Sequence, residues 1–178
     1  MRRRHALLLG LGAVLAPGLA AALGACNFRP MLLAKGGDDE PVRAELAAIE
    51  LRGLDGRLGF LVRNALLDEL NPQSLPVPER YVLDVRVRSR ASALGIQLDS
   101  TITRYNLSVV AAFQLRQKDT NDILVSSTVE RISSYNVSRE PYADLVASQT
   151  AERRAAELVG TDIGTVLAAY FARGTPVT

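Results

Sequence analysis

Arg80-Tyr81-Val82-Leu83-Asp84-Val85-Arg86-Val87-Arg88-Ser89-Arg90 alternates at every second residue. Tyr81, Leu83, Val85 and Val87 fall on one side of an extended chain. Arg80, Asp84, Arg86, Arg88 and Arg90 fall on the other, with Val82 the apolar residue among them. Successive side chains of a β-strand point to opposite faces. A period of two with one charged side therefore reads as a strand that buries one face and wets the other. The pattern returns over residues 101–117. There Tyr105, Leu107, Val109, Ala111, Phe113 and Leu115 make the apolar side, and Arg104, Asn106, Ser108, Gln114 and Arg116 the polar side. The polar turn 118–122 leads into a third run, 123–135, which reads as its hairpin partner.

Working outward, the period changes from two to that of a helix. Over residues 57–70, Leu58, Leu61, Val62, Ala65, Leu66 and Leu70 form one apolar stripe, and Asn71-Pro72 ends it. Residues 72–78 are a proline-rich connection. Upstream, residues 45–52 read as a short first strand with Ile49 and Leu51 on one side, followed by a turn at 53–56. Residues 34–41, Ala-Lys-Gly-Gly-Asp-Asp-Glu-Pro, read as a tether or loop. Downstream, residues 141–172 read as one long helix with Pro141 at its first position. Tyr142, Leu145, Val146, Gln149, Ala156, Val159, Ile163, Val166 and Tyr170 recur on one side, and Gly160 and Gly164 weaken the middle. The order is β-α-β-β-β-α. It predicts an α+β fold: a two-layer sandwich of a mostly antiparallel sheet of about four strands, with two helices packed on one face.

The chain has 178 residues, 48% of them hydrophobic, with no Trp. That suits one domain with an ordinary core once a leader is removed. The formal charge of +2 includes Arg2, Arg3 and Arg4. Without residues 1–25, 18 basic side chains face 19 acidic ones, so nothing draws the remaining chain globally to nucleic acid. The single cysteine and the single histidine both precede residue 27. A mature chain starting there has no internal disulfide and no histidine for general-base or metal chemistry. Asp84, Asp99 and Glu130 are candidate acids, but they form no paired motif, and no Gly-x-Ser-x-Gly elbow is present. A catalytic role is not expected, and neither is a cofactor or metal.

Residues 1–5, Met-Arg-Arg-Arg-His, are a positive start. Residues 6–16 are apolar but too short to span a bilayer, and Pro17-Gly18 breaks them. Small residues then lead to Leu23-Gly24-Ala25-Cys26. This is the plan of a secretory signal, and its end resembles a bacterial lipobox, in which the leader is cut before a lipid-modified cysteine. The expected division is a signal peptide at 1–25, a lipidated tether at 26–41 and a single domain at 42–173. No long apolar span is evident after the leader, so diacylglycerol and N-acyl chains on Cys26 would supply membrane affinity, at about 0.8 kcal/mol per buried CH₂. In enteric-type lipoproteins an Asp after the cysteine favours inner-membrane retention. Asn27 stands here, so the resemblance points to the outer membrane. The two leader arginines also fit a twin-arginine signal, but the rest of that motif is not evident.

Cys26-Asn27-Phe28-Arg29-Pro30-Met31-Leu32 is similar to the Gly-Phe-x-Pro-Leu-Tyr-like start of the lipopolysaccharide-assembly lipoproteins (LptE-like), though Asn27 and the Met-Leu ending depart from it. Tyr142-Ala143-Asp144-Leu145-Val146-Ala147-Ser148-Gln149-Thr150-Ala151-Glu152-Arg153-Arg154-Ala155 resembles the last helix of the alphaproteobacterial form of that family. Ile96, Asp99 and Thr103-Arg104-Tyr105 add to the likeness, which runs along essentially the whole chain. The resemblance implies a non-catalytic plug inside a large outer-membrane β-barrel protein, which it helps to fold. It also implies binding of lipopolysaccharide as that lipid is inserted into the outer leaflet. Another reading stays open: an auxiliary periplasmic lipoprotein of an ABC-type lipid transport system. Lipid A carries phosphates, and arginine suits phosphate through bidentate, charge-assisted hydrogen bonds. The expected lipopolysaccharide-binding residues are Arg86, Arg88, Arg104 and Arg116, on strands expected to be neighbours; the bland alternative is a solvated face partly paired with Asp84 and Glu130.

Overall fold

The computed structural model describes residues 40–74, 76–96, 102–137 and 140–174. The expected signal peptide, Cys26, residues 27–39 of the expected tether and Asp99 lie outside the described residues. Among the described residues seven elements follow in order: α1 (Glu40–Ala47), β1 (Ile49–Arg52), α2 (Gly56–Leu70), β2 (Tyr81–Ile96), β3 (Ile102–Gln117), β4 (Ile123–Asn136) and α3 (Pro141–Ala172). The sheet runs β1-β2-β3-β4, with β1 parallel to β2 and the other pairs antiparallel. The expected α+β sandwich is present, with one addition. Helix α1 begins two residues inside the stretch read as tether, and it takes residues 45–47 from the expected first strand, leaving four residues for β1.

Alternation decides which face is which. On β3, the central strand of the long meander, Val109, Ala111, Phe113 and Leu115 are fully buried, as are Leu83 and Val85 on β2. They pack with Val62, Leu66 and Leu70 of α2 and Val159, Ile163 and Leu167 of α3 in one core. Each large apolar side chain so buried contributes about 1.5–3 kcal/mol. No polar side chain is buried among the described residues. Arg131 on the helix side of β4 reaches Asp162 of α3 (Nη2–Oδ1 2.6 Å), and Arg57 of α2 reaches Glu152 of α3 (3.1 Å). These are exposed pairs of up to about 1 kcal/mol that trim the two-layer packing rather than drive it.

The last helix departs from its sequence reading. Its buried residues form two adjacent rows spaced by four, Ala151-Ala155-Val159-Ile163-Leu167 and Ala156-Gly160-Gly164-Ala168. A row at i, i+4 slips about 40° per step round a 3.6-residue helix, so the buried face winds along α3. A straight stripe therefore fails at its start: Tyr142 is 78% exposed, and Leu145 and Val146 also point outward. Gly160 and Gly164 are contact points with α2. A Cβ on Gly160 would stand 2.6 Å from Ala65 Cβ, and one on Gly164 3.1 Å from Glu69 Cβ, so the second row of α3 seats against an i, i+4 row of α2. By length and composition α3 also suits a membrane span, contrary to the reading that nothing after the leader does. Its apolar rows are instead the domain core.

Candidate functional site

The sheet face away from the helices is open, and side-chain period and strand register together set its layout. Arg86 pairs across to Ala112 and then Thr128, and Arg88 to Val110 and then Glu130. Ala112 is small and exposed, so the middle of the face is low. A depression of about 650 Å³ lies there, lined by Asp84, Arg86, Ala112, Gln114, Arg116 and Thr128 among others.

The four predicted arginines stand in three different settings. Arg86 and Arg88 are side by side on the open face of β2, and neither has an ionic or hydrogen-bonded partner among the described residues. Arg116 shares the depression with Arg86, but its guanidinium is held by Asp84 (3.5 Å) and by Gln114 Oε1 (3.0 Å). Its charge is therefore partly neutralised. Arg104 does not join them. The register sets it opposite Gly95, nine positions along β2 from Arg86, or about 30 Å at 3.3 Å per residue. Alternation predicts a face but not a position along it, and the turn at 118–122 only fixes which residues of β3 and β4 meet. Of the other acids, Glu130 accepts a hydrogen bond from the Ser108 hydroxyl and holds no arginine among the described residues.

Two features of this face lie outside the expected set of binding residues. Arg90 continues the alternation of Arg86 and Arg88 and is likewise exposed and unpartnered among the described residues, so the period of two was the signal that should have included it. The second is an ionic cluster at the β1 edge. Glu50 receives Arg52 (2.8 Å) and Lys118 (3.1 Å), and Lys118 also reaches Glu79 (2.6 Å). Hydrogen bonds from Arg52 and then Lys118 hold the Glu50 carboxyl at about 2, well below its ordinary 4.5. The folded chain thus binds this proton less readily than the unfolded chain. Stability from Glu50 is fully present above about pH 4.5 and is lost as the pH falls toward 2. Glu50→Gln should flatten the acid limb of stability across that window and lower stability at neutral pH toward the level the unsubstituted protein reaches in acid, as read by thermal melts from pH 2 to 7.

At the same end, Tyr81 donates its hydroxyl proton to Glu45 of α1 (2.8 Å), and Arg80 pairs with Glu45 (2.8 Å). Burial, with the Glu45 carboxylate added, pushes the Tyr81 phenol up to about 12. These contacts fasten α1 to the start of β2.

The model of the lipopolysaccharide-assembly family, LptE, matches residues 44–163, which is most of the described domain. No curated protein matches the chain. Among solved structures, a candidate lipoprotein from Caulobacter crescentus CB15 is 27% identical over 76% of this chain and 98% of that one, with a TM-score of 0.64. A minor lipoprotein from Acinetobacter baumannii (18% identity, 68% of this chain, 88% of that one, TM-score 0.54) shares the fold. So does the rare lipoprotein B from Shewanella oneidensis (16% identity, 68% and 92%, TM-score 0.52). The alternating strands, the four-stranded sheet under two long helices and the family match agree: the chain belongs to the LptE family of lipopolysaccharide-assembly proteins.

Proposed function

We propose that the protein is an outer-membrane lipoprotein, held on the periplasmic side by acyl chains on Cys26. It plugs a β-barrel partner, assists that barrel's assembly and binds lipopolysaccharide during insertion into the outer leaflet. In this reading residues 1–25 are removed, 26–41 tether the domain, and the domain acts through its surface, without catalysis or a cofactor. Family membership supports the assembly role. The observation that carries lipopolysaccharide binding is the row Arg86, Arg88 and Arg90, exposed and without an ionic partner among the described residues. Guanidinium groups two residues apart on one strand face are about 6.6 Å apart at their Cα atoms, a spacing at which two arginines can address one phosphorylated headgroup. Arg116 borders the row beside Asp84, and Arg104 stands apart from it.

Two experiments test this role. The tagged protein purified from outer membranes should bring down a large β-barrel protein, and its depletion should lower surface lipopolysaccharide. Recovery with an inner-membrane ABC permease instead would favour the auxiliary-lipoprotein reading and contradict the plug. Mass spectrometry should find Cys26 as an acylated N-terminus; a bare thiol or an uncleaved leader would contradict the anchor.

A further inference from the structure

The two edges of the sheet are not alike. A strand edge presents unpaired backbone N–H and C=O groups, and proteins blunt such edges with short strands, charges, bulges or proline. β1 forms one edge. It has four residues, and Glu50, Arg52, Lys118 and Glu79 gather on it. It covers only Tyr81–Asp84 of β2, and the length of β2 beyond carries Arg86, Arg88 and Arg90, which repel a second copy of themselves. β4 forms the other edge, 14 residues long, and no strand among the described residues pairs with its outer side. It holds no proline and no lysine. Its one acid and one base are already engaged, Glu130 by the Ser108 hydroxyl and Arg131 by Asp162. Its register on β3 shifts at Leu115/Arg116, near the start of β4, and runs evenly from Val125 to Asn136. Most of this edge is therefore straight, long and weakly charged.

The side chains along it fit a second copy of the same strand. Ile132 is 58% exposed on the open face. On the helix side Ser127 and Arg131 are exposed, so α3 leaves that side of the edge accessible. Antiparallel pairing must bring like faces together, so a two-fold axis between two such strands passes through a residue rather than between two. An axis at Glu130 would oppose two carboxylates, and one at Arg131 two guanidiniums. An axis at Val129 would set Ile132 against Ser126, and one at Thr128 would set it against Leu124, where the register is irregular. An axis at Ile132 opposes Ile132 with its own copy, Arg131 with Ser133, Glu130 with Ser134, Val129 with Tyr135 and Thr128 with Asn136. No like charges face each other, and pairs of β-branched residues with one another or with an aromatic ring are among those that stabilise a sheet. An axis farther along would shorten the pairing.

We propose that the outer edge of β4 seats β4 of a second copy of this chain, antiparallel about a two-fold axis at Ile132, so that the two sheets run on as one. The pairing goes beyond the plug reading and concerns the protein outside its barrel, so a monomer in the test below would leave that reading untouched. Full-length protein in a non-ionic detergent with a thiol reductant is followed by sedimentation velocity over a wide range of concentration, beside Ile132→Lys and Ile132→Glu. The unsubstituted protein should form a dimer. Each variant should be monomeric, with its dissociation constant raised at least about tenfold by the like charges meeting at the axis. An equimolar mixture of the two variants should form the dimer again, because Lys then meets Glu. A monomeric unsubstituted protein, variants that still pair, or a mixture of folded variants that stays monomeric would overturn the proposal. Should either variant melt well below the unsubstituted protein, hydrogen exchange of the unsubstituted protein decides. Backbone amides of residues 128–136 should gain protection as concentration rises, and exchange independent of concentration would overturn it.

Discussion

Gly160→Leu is expected to destabilise the domain by about 3 kcal/mol, the upper end of what overpacking a tight contact usually costs. Even the first carbon of a side chain at this position would meet Ala65 Cβ at 2.6 Å and the Ala65 carbonyl carbon at 3.1 Å. The second of these is backbone, which cannot rotate away. An isolated helix would gain about 1 kcal/mol from losing this glycine, so the sign of the effect distinguishes a helix contact from a mere weak point. Gly164→Ala is the internal comparison. Its added Cβ would face Glu69 Cβ at 3.1 Å, a tight contact that a shift of a few tenths of an ångström between the helices relieves, and Cγ at 3.5 Å, an ordinary one. Its cost should stay within about 1 kcal/mol, since helix propensity offsets the contact. Urea unfolding of both variants decides the matter. A Gly160→Leu variant as stable as wild type would mean that α2 and α3 do not meet along these rows.

Phe113→Ala should cost more, about 4 kcal/mol, from lost burial and the cavity left behind. Phe113 is 1% exposed on the central strand, and its register partners are Val85 on β2 and Ser127 on β4. Strands hydrogen-bonded on both sides cannot close in to refill the space, which puts this site toward the costly end of the range. Its neighbour Ala112 points to the open face, and Ala112→Ser should change stability by less than about 0.5 kcal/mol. Such opposite sensitivities at adjacent positions follow only if the strand period and register are as described. Chemical denaturation of the two variants measures both values. Comparable losses would mean that β3 is buried on both faces.

The parts of the fold readable from sequence are those where one periodicity runs unbroken. The alternation in β2 and β3 marked both faces correctly, and Leu58, Val62, Leu66 and Leu70 marked the inner side of α2. Helix α1 escaped because Glu40–Ala47 is short, opens Glu-Pro-Val-Arg and carries too few apolar residues to show a stripe. The outward turn of Tyr142, Leu145 and Val146 escaped because a four-residue row winds round the helix, and a fixed angular template cannot follow it. At the candidate site, residue type and face were legible but position along the strand was not. Arg104 shares a face pattern with Arg86, yet pairing distant in sequence sets it at the other end of the sheet and beside Arg154 of a different element.

The row on β2 is most directly tested by binding of purified lipopolysaccharide to the full-length protein and to Arg86→Gln/Arg88→Gln/Arg90→Gln in the same detergent. Each charge-assisted hydrogen bond lost is worth about 1.5–3 kcal/mol, so the triple variant should bind at least about a hundredfold more weakly while melting at the same temperature. Wild-type affinity in that variant would contradict the assignment of lipopolysaccharide to this face.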